Sequence, residues 1–122
     1  MKKIILKAKI NFKSELNLKN LSKINFEEKI ISKINILYDN KEFKLQELFK
    51  IQVQTSDKNE LIIFGTNRNC DYLGWKWKKG TLRIKSDVGS FLGVQMINGK
   101  IIVEGSCIHH VGSGMTGGKI FL

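Results

Sequence analysis

"FLGVQMINGKIIV" (residues 91–103) puts glycine at Gly93 and Gly99, and after Gly99 it alternates Ile101 and Val103 with outward-facing neighbours. The same pattern stands 19 residues earlier as "YLGWKWKKGTLRI" (72–84) and 19 residues later as "HVGSGMTGGKIFL" (110–122). Leu73, Leu92 and Val111 align, as do Gly74, Gly93 and Gly112. So do Trp77, Met96 and Met115, then Gly80, Gly99 and Gly118. Leu82, Ile101 and Ile120 follow, then Ile84, Val103 and Leu122. No gap interrupts the three copies.

A period near twenty, with short apolar strands and glycine turns, is the mark of a solenoid. Each winding lays a strand, such as Leu82–Lys85 or Ile101–Glu104, parallel to its equivalent in the next winding, about 4.8 Å away. Equivalent side chains then stack. The aliphatic positions with Trp77, Met96 and Met115 form a thin apolar column. Glycine is expected at the corners, where the chain turns sharply with positive φ and a Cβ would meet the adjacent windings. These residues predict a mainly β fold: a right-handed parallel β-helix of about two and a half coils with the 19-residue period, preceded by a small α/β cap. A left-handed hexapeptide helix, which repeats an aliphatic residue every six positions, fits less well, because 19 is not a multiple of six.

Gly112, Gly114 and Gly117 also spell G-x-G-x-x-G, the fingerprint of a dinucleotide-binding loop. That loop follows a strand, opens a helix and has an acid about 20 residues on. Only five residues follow Gly117, and they read as a strand. Gly112 and Gly118 belong to the corner ladders. Gly114 aligns with Gln95 and Lys76, so the repeat is not expected to need glycine there.

The chain has 122 residues, with 42% hydrophobic and 26% charged content, as expected of one globular unit. It has no proline, and all eleven glycines fall from Gly65 onward. That shift divides it into a capping segment, 1–60, and the repeats, 61–122. The net charge is +10, which raises nucleic acid, an anionic membrane or an acidic ligand as partners. Yet 19 of the 21 basic residues are lysine, and they are spread along the chain rather than grouped. Nucleic acid is therefore not the favoured partner. No apolar run reaches the ~20 residues of a membrane span, and "MKKIILKAKINFK" lacks the form of a signal peptide. A cytoplasmic location and no membrane partner are expected.

In the capping segment, Ile4, Leu6, Ala8 and Ile10 read as one face of a strand. "SELNLKNLSK" reads as irregular. "NFEEKIISKI" reads as a short helix with Asn25 as N-cap, Glu27 and Glu28 in its first turn and Lys33 near its end. "INILYDNKEFKL" reads as a hairpin turning at Asp39-Asn40, and "LQELFK" as a further helical turn.

The tandem motif G-x-x-M-x-x-G-x-[IL]-x-[IV] is present as "GVQMINGKIIV" and "GSGMTGGKIFL", with "GWKWKKGTLRI" as a variant. It resembles the glycine-repeat, β-helical subunit of formylmethanofuran dehydrogenase and the bacterial counterpart of that subunit in the formyltransferase/hydrolase complex. Trp77 stands in place of the usual methionine, and Asn98 in place of a frequent glycine. The opening strand, "ISKINILYDNKEFKLQELFKI" and "NELIIFG" resemble the family's lead-in, so the likeness covers nearly the whole chain. It implies a non-catalytic structural subunit in one-carbon metabolism, either methanogenesis or methylotrophic formaldehyde oxidation. The implied partners are the other members of a formyl-transferring complex. Chemistry, with a molybdenum or tungsten pterin or another metal, would belong to those partners. The resemblance implies no cofactor, metal or catalytic residue in this chain. Family members continue for further coils beyond the equivalent of Leu122, so a shortened chain or a partner over the open end is expected.

Among individual residues, His109 and His110 lack a third ligand at a suggestive spacing. His110 is expected to top an outward aromatic ladder over Phe91 and Tyr72. Cys70 and Cys107 are nearly two coils apart, roughly 9–10 Å at strand spacing, beyond the ~7 Å limit of a disulfide. Both are expected as thiols, and neither has the base a catalytic cysteine needs. Trp75, Lys76, Trp77, Lys78, Lys79, Arg83 and Lys85 form a basic-aromatic cluster that could stack single-stranded bases, the alternative being a free-standing basic module for nucleic acid or a polyanionic cofactor tail. Trp77 is expected in the core and Trp75 at a partner contact. Ile102 and Phe121 share the outward row of Arg83 and read as interface. Asp71, Asp87 and Glu104, the only acids after residue 60, form no catalytic pair by spacing.

Overall fold

The computed structural model describes residues 1–122 and is mainly β, with two mixed sheets and a few short helices. The chain opens with β1 (Lys2–Ala8), then β2 (Leu16–Asn17) and a 3-10 helix over Lys19–Ile24. Next come α1 (Glu28–Ile31), the hairpin β3 (Asn35–Tyr38) and β4 (Lys41–Lys44), and α2 (Leu45–Leu48). Strands β5 (Phe49–Thr55), β6 (Glu60–Phe64) and β7 (Cys70–Asp71) lead into the repeats, whose strands are β8 (Thr81–Ile84), β9 (Lys100–Val103) and β10 (Lys119–Phe121).

The larger sheet runs β10-β9-β8-β6-β1-β5. From β10 to β1 every pairing is parallel, and only β5 runs antiparallel, against β1. The repeat register is the one its period predicts: Leu82 pairs with Ile101 and Ile101 with Ile120. Each repeat strand begins one residue earlier than the alternation suggested. The apolar ladder also continues past the repeat, from Leu82 to Leu61 and from Leu61 to Ile4. Ile4, Leu61, Leu82 and Ile101 are wholly buried. Burying each such side chain is worth about 1.5–3 kcal/mol. One apolar cluster joins them to the cap through Leu16, Leu18, Leu21, Leu45 and Phe49.

The corners hold by hydrogen bonds between windings. The Tyr72 amide donates to the Ser90 carbonyl above, and the Gly93 amide donates to Leu73 below. Lys76 donates up to Val94, and Gln95 up to Ser113. The amides of Phe91, Gly93 and Gln95 point up, down and up the stack, and these alternate corner residues are the ones in the left-handed region. Tyr72, Phe91 and His110 have φ of 64°, 64° and 60°. Lys76, Gln95 and Gly114 have φ of 53°, 57° and 71°. Gly114 therefore does occupy a position that favours glycine, contrary to the alignment-based expectation; the first two copies place lysine and glutamine there. At Gly99, with φ 84°, a Cβ would lie 2.5 Å from the Gly80 carbonyl oxygen, so no side chain fits.

The cap follows its sequence in part. Asp39 and Asn40, with φ of 53° and 61°, make the two-residue turn of the β3–β4 hairpin. Glu47 reaches back to accept the Lys44 amide at 3.1 Å and starts α2. Asn25 is not an N-cap: it adopts φ 43° and closes the 3-10 helix, while α1 begins after Glu27. "SELNLKNLSK" is ordered, since Leu16 pairs with both Tyr38 and Cys70. The face begun by Ile4 and Leu6 ends at Ala8, and Ile10 is exposed.

Candidate interaction surface

Alternation in the large sheet sends one set of side chains inward and the other to an outer face. A central outer row runs Gln52, Ile5, Ile62, Arg83, Ile102 and Phe121, each paired with the next across the sheet. Phe121 is 49% exposed and Ile102 half-buried. Ile102 and Phe121 share the row of Arg83, as the sequence suggested, and the structure adds Ile62 and Ile5 on its other side. Arg83 Nε lies 3.2 Å from the Glu60 carboxylate, which is itself buried. Lys85 Nζ lies 2.8 Å from Glu104, and Arg83 also approaches Glu104 at 3.8 Å. These bridges neutralise the two acids of this face.

A second feature lies at a corner of the windings. Tyr72 and Phe91 stack with ring centroids 4.7 Å apart and planes 10° apart, and Phe91 and His110 stack at 4.9 Å and 5°. His110 therefore caps an aromatic column, and its neighbour His109 meets it edge-on. The one-winding spacing puts each ring on the next, which is why the period alone found this ladder. The Lys19 ammonium sits 4.3 Å from the centre of Tyr72 and 5.5 Å from Trp75, with Lys76 4.7 Å from Trp75. Trp77 is separate from this group. It is buried, donating its indole N–H to the Gly80 carbonyl at 3.0 Å and meeting Phe26 edge-on. The basic-aromatic cluster is thus divided: Trp75 and Lys76 border the column, Trp77 is core, and Arg83 and Lys85 belong to the sheet face.

Cys70 and Cys107 are both free thiols. Burial pushes the Cys70 thiol up to about 11, against a smaller opposing hydrogen bond from Asn67. Burial also raises Cys107, whose Sγ donates to the Gly89 carbonyl at 3.3 Å. Both shifts disfavour the nucleophilic thiolate. His, Cys, Asp and Glu side chains nowhere gather in a group of three or more able to hold a metal.

Asp71 and Asp87 repeat one structural role. Each carboxylate accepts a backbone amide from the next winding, Ser90 and Ser106 respectively, at 2.8 Å. Asp71 also meets Glu15, a pairing that sequence reasoning missed because the two lie far apart in the chain. Parallel pairing of β2 with β7 brings them together. A side-chain hydrogen bond to Asp71, then burial, then the Asp71 charge raise the Glu15 carboxyl above its ordinary range.

No family model matches this chain. No curated protein matches it either. Among solved structures it is similar to a chain of the formyltransferase/hydrolase complex (FhcABCD) from Methylorubrum extorquens, determined in complex with methylofuran. The likeness has 30% sequence identity and a TM-score of 0.79, and it covers 95% of this chain. This chain spans less than half, 44%, of the length of that one.

Proposed function

We propose that this chain is a structural subunit, of the glycine-repeat type, in a complex that transfers or hydrolyses formyl groups. The observation that carries the reading is the extent of the likeness to a chain of FhcABCD: 30% identity through 95% of this sequence, cap included. A glycine-rich repeat alone would give similarity only over the windings. In this reading residues 61–122 are coils of a right-handed parallel β-helix, and residues 1–60 cap it. A formyl group is a one-carbon unit, so the work of the assembly is one-carbon metabolism, in methylotrophic or methanogenic form. Chemistry and any metal or pterin reside in partner subunits. The chain's own reactive groups support a structural role: both thiols are held protonated, and Asp71 and Asp87 are occupied in joining windings.

The test is to tag the chain in its own cells and identify what purifies with it. The expected result is a stoichiometric assembly containing a metallohydrolase-like subunit and a formyltransferase. Recovery of the chain alone, or bound to nucleic acid in a salt-sensitive way, contradicts the reading and favours a free-standing basic module.

A further inference from the structure

We propose that the outer face of the six-stranded sheet docks a protein surface with an apolar centre and an acidic rim. The inference rests on the structural-subunit reading above and specifies its partner surface. Ile5, Ile62, Ile102 and Phe121 form an apolar row interrupted only by Arg83, and no helix packs across it. On one side, Lys3, Lys100 and Lys119 stand in register with Glu60 and Thr81. On the other side, Lys7 and Lys50 are paired neighbours, and Lys85 continues β8.

The charge on this face is one-sided. Glu60 and Glu104 are already held by Arg83 and Lys85. Lys3, Lys7, Lys50, Lys100 and Lys119 form no salt bridge within the chain. An apolar centre flanked by uncompensated charge has the anatomy of a protein interface. It selects a partner with carboxylates at the matching rim. A second copy is disfavoured because its lysine rows would face these. A polyphosphate could meet the lysines but would leave the apolar row against a polar backbone.

The test compares lysine acetylation in the free chain with that in the assembly isolated from its own cells, read by mass spectrometry. In the assembly, Lys3, Lys7, Lys100 and Lys119 should react about tenfold more slowly, while Lys23, Lys33 and Lys41 keep their rates. The double variant Lys100→Glu with Lys119→Glu replaces one like-charged pair by another, so its thermal melt should match the parent. Its apparent Kd for the partner subunits should rise about 100-fold at low salt, with no such change for Lys23→Glu with Lys33→Glu. An intact assembly whose sheet lysines react as in the free chain overturns the proposal and leaves the structural-subunit reading standing. Absence of formyl-complex subunits overturns both. Protection of the same lysines in a homodimer, by an oligonucleotide or by anionic vesicles overturns the assignment of an acidic protein partner.

Discussion

The ladder Ile4–Leu61–Leu82–Ile101–Ile120 is built in two ways. From Leu82 onward each rung comes 19 residues after the last, with the same glycines at the same corners. Between Leu61 and Leu82 the step is 21 residues, and Ile4 reaches its rung from the other end of the chain. Both regions obey the same side-chain stacking and parallel pairing. Equivalent geometry therefore does not need equivalent sequence; a repeat is needed only when the connections must be identical as well as the rungs.

If both regions form one core, truncation in either should cost alike. Leu61→Ala, ahead of the strict 19-residue period, and Ile101→Ala, within it, should each lose about 2–5 kcal/mol in denaturant unfolding, in a single transition. A much smaller loss for Leu61→Ala, or a separate transition, would divide the two regions. The corners come next. Gly99→Ala, where the Gly80 carbonyl blocks the Cβ, should cost more than Gly114→Ala, where the nearest obstacle is the flexible Gln95 side chain. The second change should cost about 1–2 kcal/mol, the penalty of a left-handed residue with a Cβ. Equal losses at the two sites would remove the case for close backbone approach.

A smaller effect separates the winding junctions. Asp87→Ala leaves the Ser106 amide without its acceptor and should cost about 1 kcal/mol, whereas Asp87→Asn keeps an acceptor and most of the stability. Smaller still, and of opposite sign, Lys76→Gly should stabilise by a few tenths of a kcal/mol, since glycine's larger unfolded-state entropy offsets most of the relieved backbone strain. Destabilisation by Lys76→Gly would show that its side chain, beside Trp75, matters more than its φ.

The fold keeps the Cys70 thiol neutral up to about 11, above the ordinary value of 9.0. Its contribution to stability is complete below the ordinary value and is lost as pH rises through the folded one. The stability difference between the parent and Cys70→Ala should therefore shrink between these values. A difference independent of pH there would place Cys70 in contact with solvent.

How far the sequence could be read follows the same division. The 19-residue period yielded the parallel strands, their register and the Tyr72–Phe91–His110 column, because one displacement specifies every contact. The alternation of Phe49, Ile51 and Val53 carries a signal for β5 that the helical turn before it obscures. Leu16 and Leu18 give no usable pattern. The strand that holds Leu16 is two residues long, Leu16–Asn17, and exists because Tyr38 and Cys70 flank Leu16, a fact only the tertiary fold supplies. The left-handed corners at Lys76 and Gln95 are hidden by residue type; Gly114 in the third copy is the only hint, and it becomes informative once all three windings are laid on one backbone.

The stacking itself can be tested by methyl NOE spectroscopy on the labelled chain. Contacts should link Leu82 to Ile101 and Ile101 to Ile120, and Ile84 to Val103, with all three pairs in parallel register. Contacts from Leu82 to Val103 and from Ile84 to Ile101, the pattern of antiparallel pairing, would contradict the account.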